Sequence, residues 1–168
     1  MPVPPGIPAG TRTDRHDIER AIHAVLKKFA AELAPASPPA LSLEDALRMG
    51  RGVYAEAQRM GIAVVFCVAD AGGTPLVLHR MDGAFLGSVS LAQAKAWTAA
   101  AYHRPTHAFF EACQPGRELY GMQHAPGVSI VGGGYPCFKN GVLVGGVGVS
   151  GGTVEQDMAL ASMALELL

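Results

Sequence analysis

"GVSIVGGGYPCFKNGVLVGGVGVSGGTVEQD", residues 127–157, is the stretch on which the fold turns. Two apolar runs flank Lys139-Asn140-Gly141. Asn-Gly between apolar runs signals a hairpin, because a type I′ turn needs positive φ at both central residues. Pro136 cannot donate a ladder hydrogen bond, so it marks an edge strand or a bulge. The second run stops at Ser150, Gly151 and Gly152 follow, and Thr153 with Gln156 spells a T-x-x-Q capping box. A terminal helix to Leu168 is therefore expected.

Working back along the chain, "IAVVFCVAD" (62–70) is too continuously apolar for a half-exposed strand and predicts a central one. "AGG" turns the chain and "TPLVLHR" (74–80) returns as a second strand; so short a connection implies antiparallel pairing. Ser42 caps a helix "LEDALRMGRGVYAEAQRM", with Asp45 three residues on as a weaker partner than Glu or Gln, and Gly61 ends it. Between the strand pairs lies "SVSLAQAKAWTAAAYH" (88–103), a helix whose alanines carry so little bulk that another element must approach its backbone closely. Pro105 stops that helix, and Thr106 is positioned to cap a short one through "HAFFEACQ".

The N-terminal part reads differently. Four prolines and two glycines in residues 1–12 suit a loose arm, and "APASPPA" (34–40) reads as a linker. Between them Ile18, Ile22, Val25, Phe29 and Leu33 recur at helical spacing with charges interposed, which predicts an amphipathic helix that needs a surface to lie against. The predicted organisation is an arm, helix and linker over residues 1–40, then an α+β domain over 41–168.

Composition narrows the function classes. Charged residues make up only 16% and glycines number 21, a balance that points to oligomerisation, because a monomer would expose much uncharged surface. A net charge of −1 provides no electrostatic footprint for nucleic acid. Cys67, Cys113 and Cys137 are odd in number and lack C-x-x-C spacing, which disfavours a disulfide framework or zinc cluster and suits a cytosolic protein. The opening residues do not spell a secretory signal, and no run of about 18 apolar residues predicts a membrane span.

Five phrases coincide in order: "VADAGGTPLVLHRMDGA" (68–84), "AQAKAWTAA" (92–100), "RPT" (104–106), "GGGYP" (132–136) and "GGVGVSGGTVEQD" (145–157). Together they resemble the GlcG/HbpS family, which includes the C-terminal domain of PduO-type proteins. The resemblance covers roughly residues 41–168. It implies a profilin-like or PAS-like antiparallel sheet of about five strands flanked by helices, assembled as a homo-tetramer or octamer. It further implies that some members bind haem, and that many are encoded in catabolic operons without a settled activity.

The candidate site residues follow from charge and glycine placement. At the Ser150–Gly151–Gly152 turn a helix N-terminus can bind an anion, with glycines admitting it closely; equally, the turn is a tight strand-to-helix joint whose donors Thr153 and Gln156 satisfy. Gly133 and Gly134 form a second such bend. Arg80 and Asp82 end the second strand, where the guanidinium can fork onto a carboxylate or haem propionate, or pair structurally with Asp70 or Asp82. Lys95, within an alanine-rich face, ranks first: it is either a solvated helix lysine or an anion clamp, and with a lowered pKa a base. Thr106, His103 and His107 surround "RPT"; the histidines are candidate haem-iron ligands, although Pro105 breaks the helix that would align them. C-x-x-C-H is missing, so haem would be held noncovalently. The resulting expectation is a binding protein for a small anionic or apolar ligand, haem being the family candidate. The alternative is a cofactor-independent catabolic lyase, isomerase or hydrolase on a small organic acid, with Lys95 as base and the two glycine bends holding an oxyanion.

Overall fold

The computed structural model describes residues 15–33 and 39–168. The proline-rich arm and most of the linker lie outside the described residues. By its internal contacts the chain divides into two units, residues 1–38 and 39–168. Among its described residues the first unit holds the helix α1 (Arg15–Leu33).

The second unit opens with α2 (Leu43–Arg59), whose capping box is complete: Asp45 N–H donates to Ser42 Oγ, and Ser42 N–H donates to Asp45 Oδ2. Strands β1 (Val65–Asp70) and β2 (Pro75–Arg80) follow, then α3 (Gly87–Tyr102), strands β3 (Gly134–Lys139) and β4 (Val142–Ser150), and α4 (Val154–Glu166). The four strands form one antiparallel sheet in the order β2-β1-β4-β3. About five were expected. Val128–Val131 is apolar, but it lacks a ladder partner and leads into β3 as irregular chain.

Both hairpins form where their turn residues lie. Asn140 and Gly141 take φ of 52° and 77°, the all-positive pair that a type I′ turn requires. Pro136 sits on β3, an edge strand, with a register shift just after it at Cys137/Phe138. In the first hairpin Asp70 Oδ1 accepts from Gly72 N–H and Thr74 N–H, closing the turn.

The sheet is buried on both faces. Val64, Phe66 and Val68 point into one core with Val147 and Val149 of β4, Met49 and Val53 of α2 and Leu160 of α4; Val65, Cys67 and Ala69 point the other way, toward Ala92 and Ala96 of α3. This two-sided burial is why β1 is apolar without alternation. Cys67 and Cys137 are buried, and loss of hydration pushes their thiols up to about 11 and about 12.

The surface that α3 rests on is almost bare backbone. A Cβ placed on Gly148 would lie 2.1 Å from Ala92 O, one on Gly146 2.4 Å from Ala96 O, and one on Gly134 2.5 Å from Lys95 O. The alanines of α3 and the glycines of β3 and β4 are therefore two halves of one contact.

One polar knot ties the opposite layer. Asp45 Oδ2 accepts from Lys139 Nζ at 2.6 Å and from Ser42 Oγ at 2.7 Å, and Oδ1 accepts from Arg48 at 2.6 Å. Arg48 Nε donates in turn to Leu167 O at 2.7 Å. The Lys139 ammonium, first, and the Ser42 hydroxyl hold the Asp45 carboxyl well below its ordinary value of 3.8. A carboxyl depressed in the folded state stabilises fully above its unfolded value, and the contribution fades as pH falls through the folded one. Unfolding midpoints in urea should thus drop below pH 4 more steeply for the natural chain than for Asp45→Asn. Parallel curves would show that the knot contributes nothing to acid sensitivity.

Candidate functional site

Lys95 is completely buried. Its Nζ donates to Val149 O at 2.7 Å and to Asp157 Oδ2 at 2.8 Å. Asp157 Oδ1 accepts from Gly152 N–H at 3.0 Å, so both carboxylate oxygens are engaged. Burial pushes the Lys95 ammonium down and the Asp157 carboxyl up from their ordinary values, and their mutual attraction works against both shifts. Bare glycines leave the space for this pair: a Cβ on Gly133, whose φ is +110°, would meet Asp157 Cβ and Val149 O at 2.8 Å and Lys95 Nζ at 3.0 Å.

The expected convergence of Lys95 with the two glycine bends is present, but a side chain of the same molecule occupies it. Lys95 has no surface to offer a substrate, which removes it as an accessible base or anion clamp. The anion-site reading of the Ser150–Gly152 turn gives way for the same reason. Gly152 N–H is taken by Asp157, Thr153 N–H donates to Gln156 Oε1 at 2.9 Å, and Gln156 N–H donates to Thr153 Oγ1 at 3.3 Å. Ser150 is buried at the end of β4. Gly151 turns at φ +140°, where a Cβ would strike Ala63 O at 2.6 Å. These glycines make a joint.

Thr106 does not cap a helix. It begins a short 3-10 turn (Thr106–Phe109), and its buried hydroxyl donates to Val131 O at 2.7 Å while accepting from Gly134 N–H at 3.0 Å. The hydroxyl thereby fixes the segment that enters β3. Trp97 covers the first hairpin, where a Cβ on Gly73 would fall 2.4 Å from its ring.

Two of the surface hollows among the described residues include candidate site residues. The first, of ≈ 320 Å³, is lined by Tyr54, Leu78, His79, Arg80, Met81 and Asp82. Arg80 and Asp82 are exposed there, on the opposite edge of the sheet from β3. The second, of ≈ 680 Å³, opens between the 3-10 turn, the chain before β3 and the start of α4. His107, Phe110, Ile130, Val131, Gly132 and Val154 line it, with Glu111 and Glu155 beside them. His107 is exposed, its ring centroid 5.7 Å from that of Tyr135. His103 ends α3 in the left-handed conformation, φ 55°, is exposed, and does not line this cleft. Among the described residues no three His, Cys, Asp or Glu side chains cluster as metal ligands.

A family model described as "Haem degrading protein HbpS-like" matches residues 41–166. The chain belongs to the HbpS-like family. The corrinoid adenosyltransferase PduO of Salmonella typhimurium LT2 is 40% identical over 163 residues, 92% of this chain but 48% of the relative. This HbpS-like chain thus spans about half the length of that enzyme. Several solved structures share its fold, two of them at more than 40% identity. A Klebsiella pneumoniae protein, ORFY, is 41% identical with a TM-score of 0.76, covering 80% of this chain and 94% of its own. A PduOC:heme complex is 42% identical with a TM-score of 0.75, covering 77% of this chain and 96% of its own.

What residue-level reading missed in this HbpS-like domain is Asp157. The signal was available: a lysine among alanines cannot be buried without an acid, and Asp157 stands in the first turn of α4 directly after the glycine bend. Nothing in the local spacing, however, links positions 62 residues apart.

Proposed function

We propose that the chain is a noncovalent binding protein for a planar, largely apolar ligand, haem foremost, seated in the ≈ 680 Å³ cleft beside α4. One observation carries this reading: an exposed imidazole, His107, stands beside an apolar wall of Phe110, Ile130, Val131 and Val154. The likeness to a solved haem complex supports it. The cleft volume lies within the roughly 300–1,000 Å³ usual for small-molecule sites.

These residues fit the group in donor type and polarity. The apolar wall would take a porphyrin face and His107 would supply nitrogen to the iron. Glu111 and Glu155 carry the same charge as propionates, so this rim does not clamp them. The iron, when bound, supplies redox and ligand-binding chemistry. The protein's part is to exclude water from one face and to hold one nitrogen donor; the haem degradation named for the family is the first turnover to assay. The organic-acid enzyme loses ground, because its only nominated base, Lys95, is buried against Asp157.

Haemin titration of the purified chain should give a saturable Soret band at low micromolar haemin. His107→Ala should change that band and weaken binding on the order of tenfold or more, since even outer partners of metal ligands are worth that much. Arg80→Ala, in the other hollow, should leave it unchanged. A natural chain that never saturates, or a His107→Ala variant with unaltered band and affinity, would remove this assignment.

A further inference from the structure

The ≈ 680 Å³ cleft carries charge of one sign. Of the side chains that line it, Glu111 and Glu155 are the carboxylates, and none is Lys or Arg. The two stand on different elements, Glu111 just past the 3-10 turn and Glu155 in the first turn of α4. Both are exposed, and among the described residues neither takes part in an ion pair. Arg117 lies in an adjoining hollow that shares Ala108 and Glu111 with the cleft, but Glu118 lines that hollow too.

The first turn of α4 does not offset this charge. A helix N-terminus ordinarily offers N–H donors to an anion. Here Thr153 N–H donates to Gln156 Oε1, and Gln156 N–H donates to Thr153 Oγ1. The Glu155 carboxylate accepts from its own backbone N–H, first, and from Thr153, and these bonds hold it below its ordinary value of 4.5. An anion entering the cleft therefore meets two carboxylates without a basic partner. Contacts between exposed charges are each worth about 1.5-fold to fivefold in affinity. Ligands of opposite sign lie on opposite sides of that effect, so two carboxylates should separate a cation from an anion of one shape by roughly tenfold.

We infer that Glu111 and Glu155 are the charge-selecting residues of the cleft, which takes a planar ligand with a cationic edge before an anionic one of the same shape and turns the carboxylates of an amphipathic ligand out to solvent. The selection rests on the proposed role of the cleft as the ligand site. For haem it sets the orientation, with the propionate edge outward and the apolar edge inward.

Three planar probes of one tricyclic shape test it by fluorescence titration at about pH 8: cationic 9-aminoacridine, neutral acridine and anionic acridine-9-carboxylate. The natural chain should bind the cation roughly tenfold more tightly than the anion, with the neutral ring between them. That ratio should shrink as salt rises from about 0.01 M to about 1 M. Glu111→Gln with Glu155→Gln should bring the ratio to within about twofold; because it compares two probes on one variant, any loss of folded protein cancels. Phe110→Ala should weaken all three probes alike. A ratio near one in the natural chain, or a ratio that the glutamine pair leaves as it was, would overturn the charge selection and leave the cleft as a ligand site. Failure of neutral acridine to bind, or binding that Phe110→Ala does not alter, would remove the cleft as a ligand site and the selection with it.

Discussion

Lys95→Ala should lower the unfolding free energy by about 3–5 kcal/mol, the usual cost of leaving one member of a buried ion pair without its partner. Asp157 would keep only backbone N–H donors of the glycine bend, that of Gly152 at 3.0 Å, in a site that is almost wholly buried. For a domain of this size the melting temperature should fall by roughly 2–4 °C per kcal/mol. Lys95→Met combined with Asp157→Asn should recover part of the loss. The amide still accepts from Gly152, and neither side chain is then charged; Val149 O remains without its donor, so recovery is incomplete. Urea denaturation of the natural chain and the two variants makes the comparison. A loss under about 1 kcal/mol in Lys95→Ala would mean that the pair does not hold α3 to α4. If instead the double variant is no better than the single one, burial of charge is not the cause.

Gly148→Ala is expected to be at least as damaging. The added carbon would sit 2.1 Å from Ala92 O and 2.6 Å from Ala96 N, both backbone atoms of a helix that cannot swing aside. Overpacking a core commonly costs about 1–3 kcal/mol, and a clash with backbone belongs at or above the top of that range. The variant should either accumulate as insoluble protein or melt well below the natural chain. Gly87→Ala is the control: its Cβ would meet nothing within 4 Å, and alanine favours the start of α3. Equal stability of the two variants would show that α3 does not rest on β4 as closely as described.

These two expectations separate what was legible in the amino-acid sequence from what was not. The hairpin at Asn140-Gly141 and the capping boxes at Ser42 and Thr153 are local, set by hydrogen bonds that close within a few residues. The close approach to α3 was legible too, because an alanine-rich helix and glycine-rich strands each imply a partner without bulk. The site was harder to read. Lys95, Gly133, Gly134 and the Ser150–Gly152 bend do gather, and sequence reasoning placed a ligand among them. Which acid fills such a space depends on how the layers stack, and Asp157 reaches it only after α4 has docked. Thr106 misled similarly: a hydroxyl before a short helix resembles a cap, yet here it bridges Val131 and Gly134, residues distant along the chain. His107 became a better candidate than its spacing from His103 suggested, because the cleft wall beside it comes from residues 130–132 and 154–155.

The seam between α3 and β4 has a consequence for how this domain can vary. Most buried contacts tolerate trades, in which one member grows while its neighbour shrinks. Across Gly146 and Gly148 no smaller residue exists to concede room, and on the facing helix it is the main chain that stands in the way. No second-site change of side chain can therefore rescue an enlargement there; only a shift of the whole helix could, and Lys95 riveted to Asp157 opposes that shift.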